Sequence, residues 1–303
     1  MDAWIRELTG ATRVAGREHV QLLWSGYGEI VRVRLEGADV LSVISKQVSP
    51  GGGRGRSHER KLRSYDVERA FYRDHAARCP SRVARCLAAE RTDEGWRFLL
   101  EDLDAAGYSA RRASLSVVEV QRCLAWLARF HAAFVGVAPD ALWEEGTYWH
   151  LATRPDELAV IADARLRDAA PILDGALRRA RFRTFVHGDA KPANFCFTPD
   201  GAAVAAVDFQ YVGGGCGMRD VAYLLFARRG WGTSDSGSAP LLDDYFAALR
   251  ASLDPAVDAD ALEAEWRALY PVARADFHRF LAGWSPSEES VRGYRDALEA
   301  IPL

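Results

Sequence analysis

Apolar positions alternate or cluster in short runs over the early part of the chain and then switch to spacings of three and four. The early runs read as strands. Residues 19–24 and 30–35 form two of them, joined by Ser25-Gly26-Tyr27-Gly28-Glu29; residues 39–48 form a third, and residues 96–100 a fourth that runs into Glu101-Asp102-Leu103. A short helix-like opening precedes the first strand. The flexible SPGGGRGR of residues 49–56 leads into a helix over residues 59 to about 77. Beyond Leu103, Ser116 and Glu119 make a capping box that opens a helix with Val120, Cys123, Leu124, Leu127, His131 and Phe134 on its apolar face, ending near Gly136. Residues 156–181 are again helical, residues 230–240 form a glycine and serine loop, and the rest is helical with Trp266, Tyr270, Phe277, Phe280 and Trp284 on apolar positions. One hairpin, residues 185–211 with its turn at Pro199-Asp200-Gly201, interrupts these helices. The sum is an α+β fold of two unequal lobes: residues 1–103 a small β-rich N-lobe, residues 104–303 a larger, mostly helical C-lobe.

Length and composition fit this picture. A chain of 303 residues, 49% apolar and 27% charged, can bury a sizeable core, and nothing in it repeats at a fixed period. No apolar run reaches the roughly 20 residues needed to span a bilayer, and the opening MDAWIRELTG lacks the apolar core of a signal peptide. A cytoplasmic protein without a membrane partner is expected. The five cysteines, Cys79, Cys86, Cys123, Cys196 and Cys216, form neither a C-x-x-C pair nor a Cys/His cluster, which argues against zinc and against disulfides.

Net charge is −3, but it is unevenly spread: 18 basic and 15 acidic residues up to Leu103, 21 and 27 beyond. The first part favours a polyanionic ligand and the second a neutral or cationic one; nucleic acid is not an expected partner. Only three of the 39 basic residues are lysines, Lys46, Lys61 and Lys191. A lysine kept against such a preference for arginine suits a place that needs a compact ammonium on a flexible stem.

Candidate chemistry gathers in the hairpin. His187, Asp189, Lys191 and Asn194 lie in an H-x-D-x-x-x-x-N arrangement, and Asp208 follows on the hairpin's second strand. This is the layout of a kinase catalytic loop followed by a metal-binding aspartate. Phosphoryl transfer needs a positioned hydroxyl and neutralised phosphate charge more than covalent chemistry from the protein. Asp189 can accept the proton of the attacking hydroxyl, Lys191 can offset charge on the transferring group, and Asn194 and Asp208 offer the hard oxygens that Mg2+ prefers. His187 holds the loop's shape through hydrogen bonds.

In the helix of residues 59–77, Leu62, Tyr65, Phe71, Tyr72 and His75 mark the inward face, and Glu68 falls within that stripe. A carboxylate on an apolar face needs a cation, and Lys46 on the third strand is the lysine available. The pair would hold the ammonium for the phosphates of ATP. Gly26 and Gly28 could let the hairpin tip cover those phosphates, although a plain glycine hairpin explains them equally well. Glu101 and Leu103 occupy the hinge, where exposed backbone groups would meet adenine. The aromatic residues 143–155 could border an acceptor pocket or pack between helices. Residues 213–217 read as a mobile glycine turn, and Asp220 as the cap of the next helix.

His187-Gly188-Asp189 with Asn194, then Val207-Asp208-Phe209-Gln210, resembles the aminoglycoside phosphotransferase and choline kinase superfamily. The H-G-D form separates it from eukaryotic protein kinases. Ser64-Tyr65-Asp66-Val67-Glu68 with Phe71-Tyr72, Leu100-Glu101-Asp102-Leu103 and the D-F-Q metal motif are most similar to the ecdysteroid-kinase-like branch and its bacterial relatives. Lys191-Pro192 and the long SPGGGRGR connection depart from that branch. The resemblance covers nearly the whole chain and implies a bilobal protein-kinase-like fold, ATP with Mg2+, and phosphorylation of a small-molecule hydroxyl on an aminoglycoside-, choline- or sterol-like acceptor. A nucleotide-binding pseudokinase acting as a regulatory partner is the alternative, and the oligomeric state stays open.

Overall fold

The computed structural model describes residues 1–23, 26–228 and 237–301. Trp24 and Ser25 of the first expected hairpin, residues 230–236 of the expected loop, and the last two residues lie outside the described residues. The described chain forms two compact units: Met1–Arg111 with Cys196–Gln210, and Arg112–Phe195 with Tyr211–Leu303.

The first unit is built on a five-stranded antiparallel sheet in the order β1-β2-β3-β5-β4, with β1 Arg13–Leu22, β2 Gly28–Glu36, β3 Ser42–Val48, β4 Cys86–Thr92 and β5 Gly95–Glu101. Helix α1 (Asp2–Thr9) covers one face, where Ile5 joins Val31, Val33, Leu35, Val43 and Leu99 in a dry cluster. Strand β1 starts six residues before the sequence reading places it. Its polar sequence RVAGREHVQL has no buried face to pattern, because β1 is an edge strand held by backbone pairing to β2. Strand β4 was not expected at all; every one of its residues is only partly buried or exposed, so it carries no alternation.

Helix α2 (Arg56–Ala70) continues through a π-helical turn, Phe71–His75, and a 3-10 turn, Ala76–Arg78, close to the expected end. Strands β7 (Phe195–Phe197) and β8 (Val204–Ala206) form the expected hairpin over Pro199-Asp200-Gly201, and Cys196–Gln210 packs into this first unit. Bridges from Ala110 to Phe197 and from Val83 to Ala206 fasten it there. The compact units therefore differ from a division after Leu103 in two places: the first unit extends to Arg111 and takes in this hairpin.

The second unit is mostly helical. Helix α3 (Val117–Ala133) starts at the expected Ser116/Glu119 capping box. The helix expected over residues 156–181 is broken into α4 (Pro155–Val160) and α5 (Ala164–Arg178), with Asp163 capping the second piece through Arg165 N–H at 3.0 Å. Helices α6 (Met218–Ala227), α7 (Ser238–Arg250), α8 (Ala259–Trp284) and α9 (Glu288–Glu299) complete it. The glycines expected as a turn instead form strand β9 (Gly213–Gly215), antiparallel to β6 (Thr184–Val186) and buried. Glycine is used here because other backbone lies against it; the Trp143 carbonyl stands 2.2 Å from where a Cβ on Gly213 would be. The α+β expectation, with a β-rich N-lobe and a helical C-lobe, matches the molecule. Among the described residues no helix is long and apolar enough to cross a membrane.

Candidate active site

The first unit gathers Lys46, Glu68 and Asp208. Strand β3 points Lys46 inward against the rings of Tyr65 and Phe98, at 5.5 and 5.7 Å. Its Nζ donates to Glu68 Oε2 at 2.6 Å, and Glu68 is 2% exposed. The connection of residues 49–56 has not loosened this approach. Burial pushes the Glu68 carboxyl above its ordinary range, Lys46 pulls it back, and the charge of Asp208 pushes it up again. Gln210, which the sequence reading did not assign a role, donates to Glu68 at 3.5 Å.

Asp208 was expected on the hairpin's second strand, but it lies two residues past β8 with a left-handed φ of 69°. Phe209 explains the bend, since its ring stacks on Phe71 of the π-turn at 4.0 Å and meets Tyr72 edge-on. The Oδ1 of Asp208 is buried without a hydrogen-bond partner. A hard cation would satisfy it.

Gly26 and Gly28 sit where β1 turns into β2. Gly28 has φ 145°, and a Cβ there would stand 1.9 Å from the Gln47 carbonyl, so the sheet itself requires this glycine. At the hinge, Glu101 N–H donates to the Arg85 carbonyl and the Leu103 carbonyl accepts from Tyr108 N–H, both at 2.8 Å. Arg82 pairs with the Glu101 carboxylate beside these groups at 2.6 Å.

The second unit holds His187, Asp189, Lys191 and Asn194 on the loop after β6. Asp189, 5% exposed, receives Lys191 Nζ at 2.8 Å and Asn194 Nδ2 at 2.9 Å on one carboxylate oxygen. Asn194 Nδ2 also donates to the Asp189 backbone carbonyl, so its amide nitrogen is spent and its oxygen is the end left for a cation. His187 is fully buried, edge-on to Trp126, and its Nδ1 accepts from Asp189 N–H at 3.2 Å. Both contacts hold it inside the loop. Gly188 has φ 80°, and a Cβ would stand 2.1 Å from the Tyr211 carbonyl, which excludes any larger residue between His187 and Asp189.

Two residues that hold this loop escaped the sequence reading. Asp220 does not cap α6; Gly217 occupies that position. Its carboxylate accepts from the backbone N–H groups of His187 at 2.5 Å and Gly188 at 2.9 Å, and meets His131 at 3.1 Å. His131 is a satisfied core histidine, with Tyr245 on its other nitrogen at 2.7 Å. Tyr223, one turn further along α6, brings its hydroxyl to 3.4 Å from Asp189 Oδ1. A signal for Asp220 is present: with Arg219 it opens a helix whose remaining residues, Val221–Ala227, are apolar or aromatic.

The model of the phosphotransferase enzyme family, APH, matches residues 20–272. The chain belongs to that phosphotransferase family. A search of curated proteins finds no match. Solved structures share the fold. Amicoumacin kinase hAmiN, in complex with AMP-PNP, Ca2+ and Ami, aligns at 15% identity and TM-score 0.61 over 93% of this chain and 87% of that one. Choline kinase from Cryptosporidium parvum Iowa II aligns at 11% and 0.58 over 93% and 88%. The GDP complex of wild-type aminoglycoside 2'-phosphotransferase-IIIa aligns at 12% and 0.53 over 98% and 95%. These neighbours place the phosphotransferase among kinase-like folds. No group of three or more His, Cys, Asp or Glu side chains among its described residues could hold a metal. A magnesium site completed by phosphate and water has no need of one.

Proposed function

We propose that the chain is an ATP-dependent O-phosphotransferase that acts on a hydroxyl of a small molecule. The observation that carries this is Asp189, held by Lys191 and Asn194 on one carboxylate oxygen while Asp220 fixes its loop. In this reading Asp189 orients the acceptor hydroxyl and takes its proton. Lys191, half-exposed beside it, offsets charge on the transferring phosphoryl group. Lys46, held by Glu68, binds the nucleotide phosphates. Residues 1–103 hold ATP and residues 104–303 the acceptor. The Leu103 N–H serves the adenine edge, Glu101 supports that hinge, and Gly26 and Gly28 let the hairpin approach the phosphates.

Two donors, each within its own unit, support Mg2+ as the metal: Asp208 in the first brings a buried oxygen without a hydrogen-bond partner, and Asn194 in the second an amide oxygen. When bound, it would neutralise charge on the phosphates. The AMP-PNP and GDP complexes of two fold neighbours support a nucleotide ligand. All five cysteines are free thiols, which supports a cytoplasmic location.

The test is ATP consumption across sugars, cyclitols, aminoglycosides, choline analogues and sterols. Turnover should fall about 10²–10⁴-fold in Asp189→Ala, the range of a lost general base. Turnover unchanged by that substitution would overturn the role of Asp189. Thermal stabilisation by ATP without turnover on any acceptor would favour a pseudokinase.

A further inference from the structure

The first unit has a cavity of about 390 Å³ at the end of the helix that carries Glu68. Tyr72 of the π-turn and Ala76 and Ala77 of the 3-10 turn form one part of its lining, and the segment from Cys79 to Cys86, which ends at the start of β4, forms the rest. A space of this size takes a small molecule, since ligand pockets start at about 300 Å³. Much of the lining is apolar, with Pro80, Val83 and Ala84 joining the two alanines of the turn.

The polar side chains left open on this lining are donors. Tyr72 is 6% exposed, and among the described residues its hydroxyl has no hydrogen-bond partner. A buried hydroxyl in that state costs stability until something meets it. Burial, with the charge of Glu68 next in weight, holds its pKa well above the ordinary range, so it keeps its proton and can donate. Arg85 is exposed, and its guanidinium makes no hydrogen bond or ion pair among the described residues. The Glu101 carboxylate feels the charge of Arg85 but is engaged by Arg82 at 2.6 Å and by the Arg85 backbone N–H at 2.9 Å. Arg82 is thereby balanced and Arg85 is not. No carboxylate lines the cavity, and the thiols supply no negative charge: Cys79 Sγ donates to the Ser81 carbonyl at 3.3 Å, and burial pushes Cys86 up to about 12. Open donors call for a ligand that brings acceptors, and the alanine, proline and valine surface calls for an apolar body.

We propose that this cavity is a second ligand site, which takes a small apolar monocarboxylate: Arg85 draws the carboxylate, the Tyr72 hydroxyl donates to it, and the hydrocarbon body lies on the apolar lining. The site goes beyond the phosphotransferase reading, in which none of its lining residues has a role. It is nonetheless close to the groups of that reading. Tyr72 follows Glu68 by one helical turn, and its ring meets that of Phe209, the neighbour of Asp208, edge-on at 5.8 Å.

The experiment is calorimetric, uses the full chain and needs no turnover. Benzoate and 3-phenylpropionate are titrated against their uncharged amides. At least one acid should bind about tenfold or more tighter than its amide, the scale of a hydrogen bond to a charged group. Arg85→Met keeps an apolar stem and should erase that preference, and Tyr72→Phe should weaken the acid about tenfold. Ala77→Trp, which adds a ring to the cavity from an exposed position, should abolish binding. Acid and amide bound equally, no binding of either acid, or binding unchanged by any one of these substitutions would overturn the proposal. If Tyr72→Phe fails to fold, Arg85→Met and Ala77→Trp, both at exposed positions, still decide.

Discussion

The two units hold their functional groups by opposite means. In the first, Lys46, Glu68 and Asp208 come from a strand, a helix and the segment after a hairpin, and one buried ion pair joins the first two. In the second, His187, Asp189, Lys191 and Asn194 share one loop, and backbone hydrogen bonds, most of them short in sequence range, set its shape. The anchor, Asp220, comes from afar, as does the Tyr223 hydroxyl beside Asp189. The first arrangement exists only once the sheet and helix are folded around it. The second is largely written into eight consecutive residues. A charge in the first is therefore exposed to desolvation, whereas a group in the second is exposed to loss of geometry.

The comparison breaks most readily at Glu68. Its removal in Glu68→Ala leaves the Lys46 ammonium buried and unpaired, and stability should drop by about 3–5 kcal/mol. Denaturant unfolding measures this; a loss under 1 kcal/mol would mean that Lys46 reaches water and that the first unit is not the dry half. The next effect tests whether the second unit also stores charge-state energy. His150 is buried, and its Nδ1–H donates to the Thr147 carbonyl. Burial pushes its pKa from 6.5 down to about 4, with Arg219 and Arg154 adding repulsion. The unfolded chain takes up the proton first. Stability from this group is full above pH 6.5 and is lost as pH falls toward 4, by about 3 kcal/mol in all. In His150→Asn that slope should flatten, and an unchanged slope would assign the pH dependence elsewhere. Asp220→Asn should be the mildest, at about 1–3 kcal/mol, because an amide nitrogen then faces one of two backbone N–H donors. Its signature should be a fall in kcat with little change in the KM for ATP; equal changes in both would mean that Asp220 supports the fold and not the loop.

What the sequence disclosed follows the same division. The loop was legible because its residues are neighbours in the chain, and the helix bearing Glu68 because a carboxylate in an apolar stripe demands a partner. The partner itself, Lys46 at 2.6 Å, was inferred from that demand and is present. Strand β4 left no trace because none of its residues is fully buried. The glycines of β9 read as a turn because glycines usually mark one, whereas here Trp143 and Glu144 press against their backbone. Asp220 reads as a helix cap in the sequence because its partners lie more than thirty residues earlier in the chain. At the hinge, the Glu101 N–H donates to the Arg85 carbonyl and the Leu103 carbonyl accepts from Tyr108 N–H, two pairings that local pattern does not show.

The discontinuity of the first unit has a consequence for the chain as it is made. Its sheet is complete at Glu101, yet the ring that stacks on Phe71, and the carboxylate next to it, arrive only with Phe209 and Asp208, after residues 112–195 have emerged. Domains tend to fold from the N-terminus during synthesis. Here the unit that begins first must finish late. Until the ribosome has passed Gln210, the Phe71 and Tyr72 rings of the π-turn lack the ring of Phe209 that packs on them. A nascent chain stalled before that point offers those rings to chaperones and to aggregation.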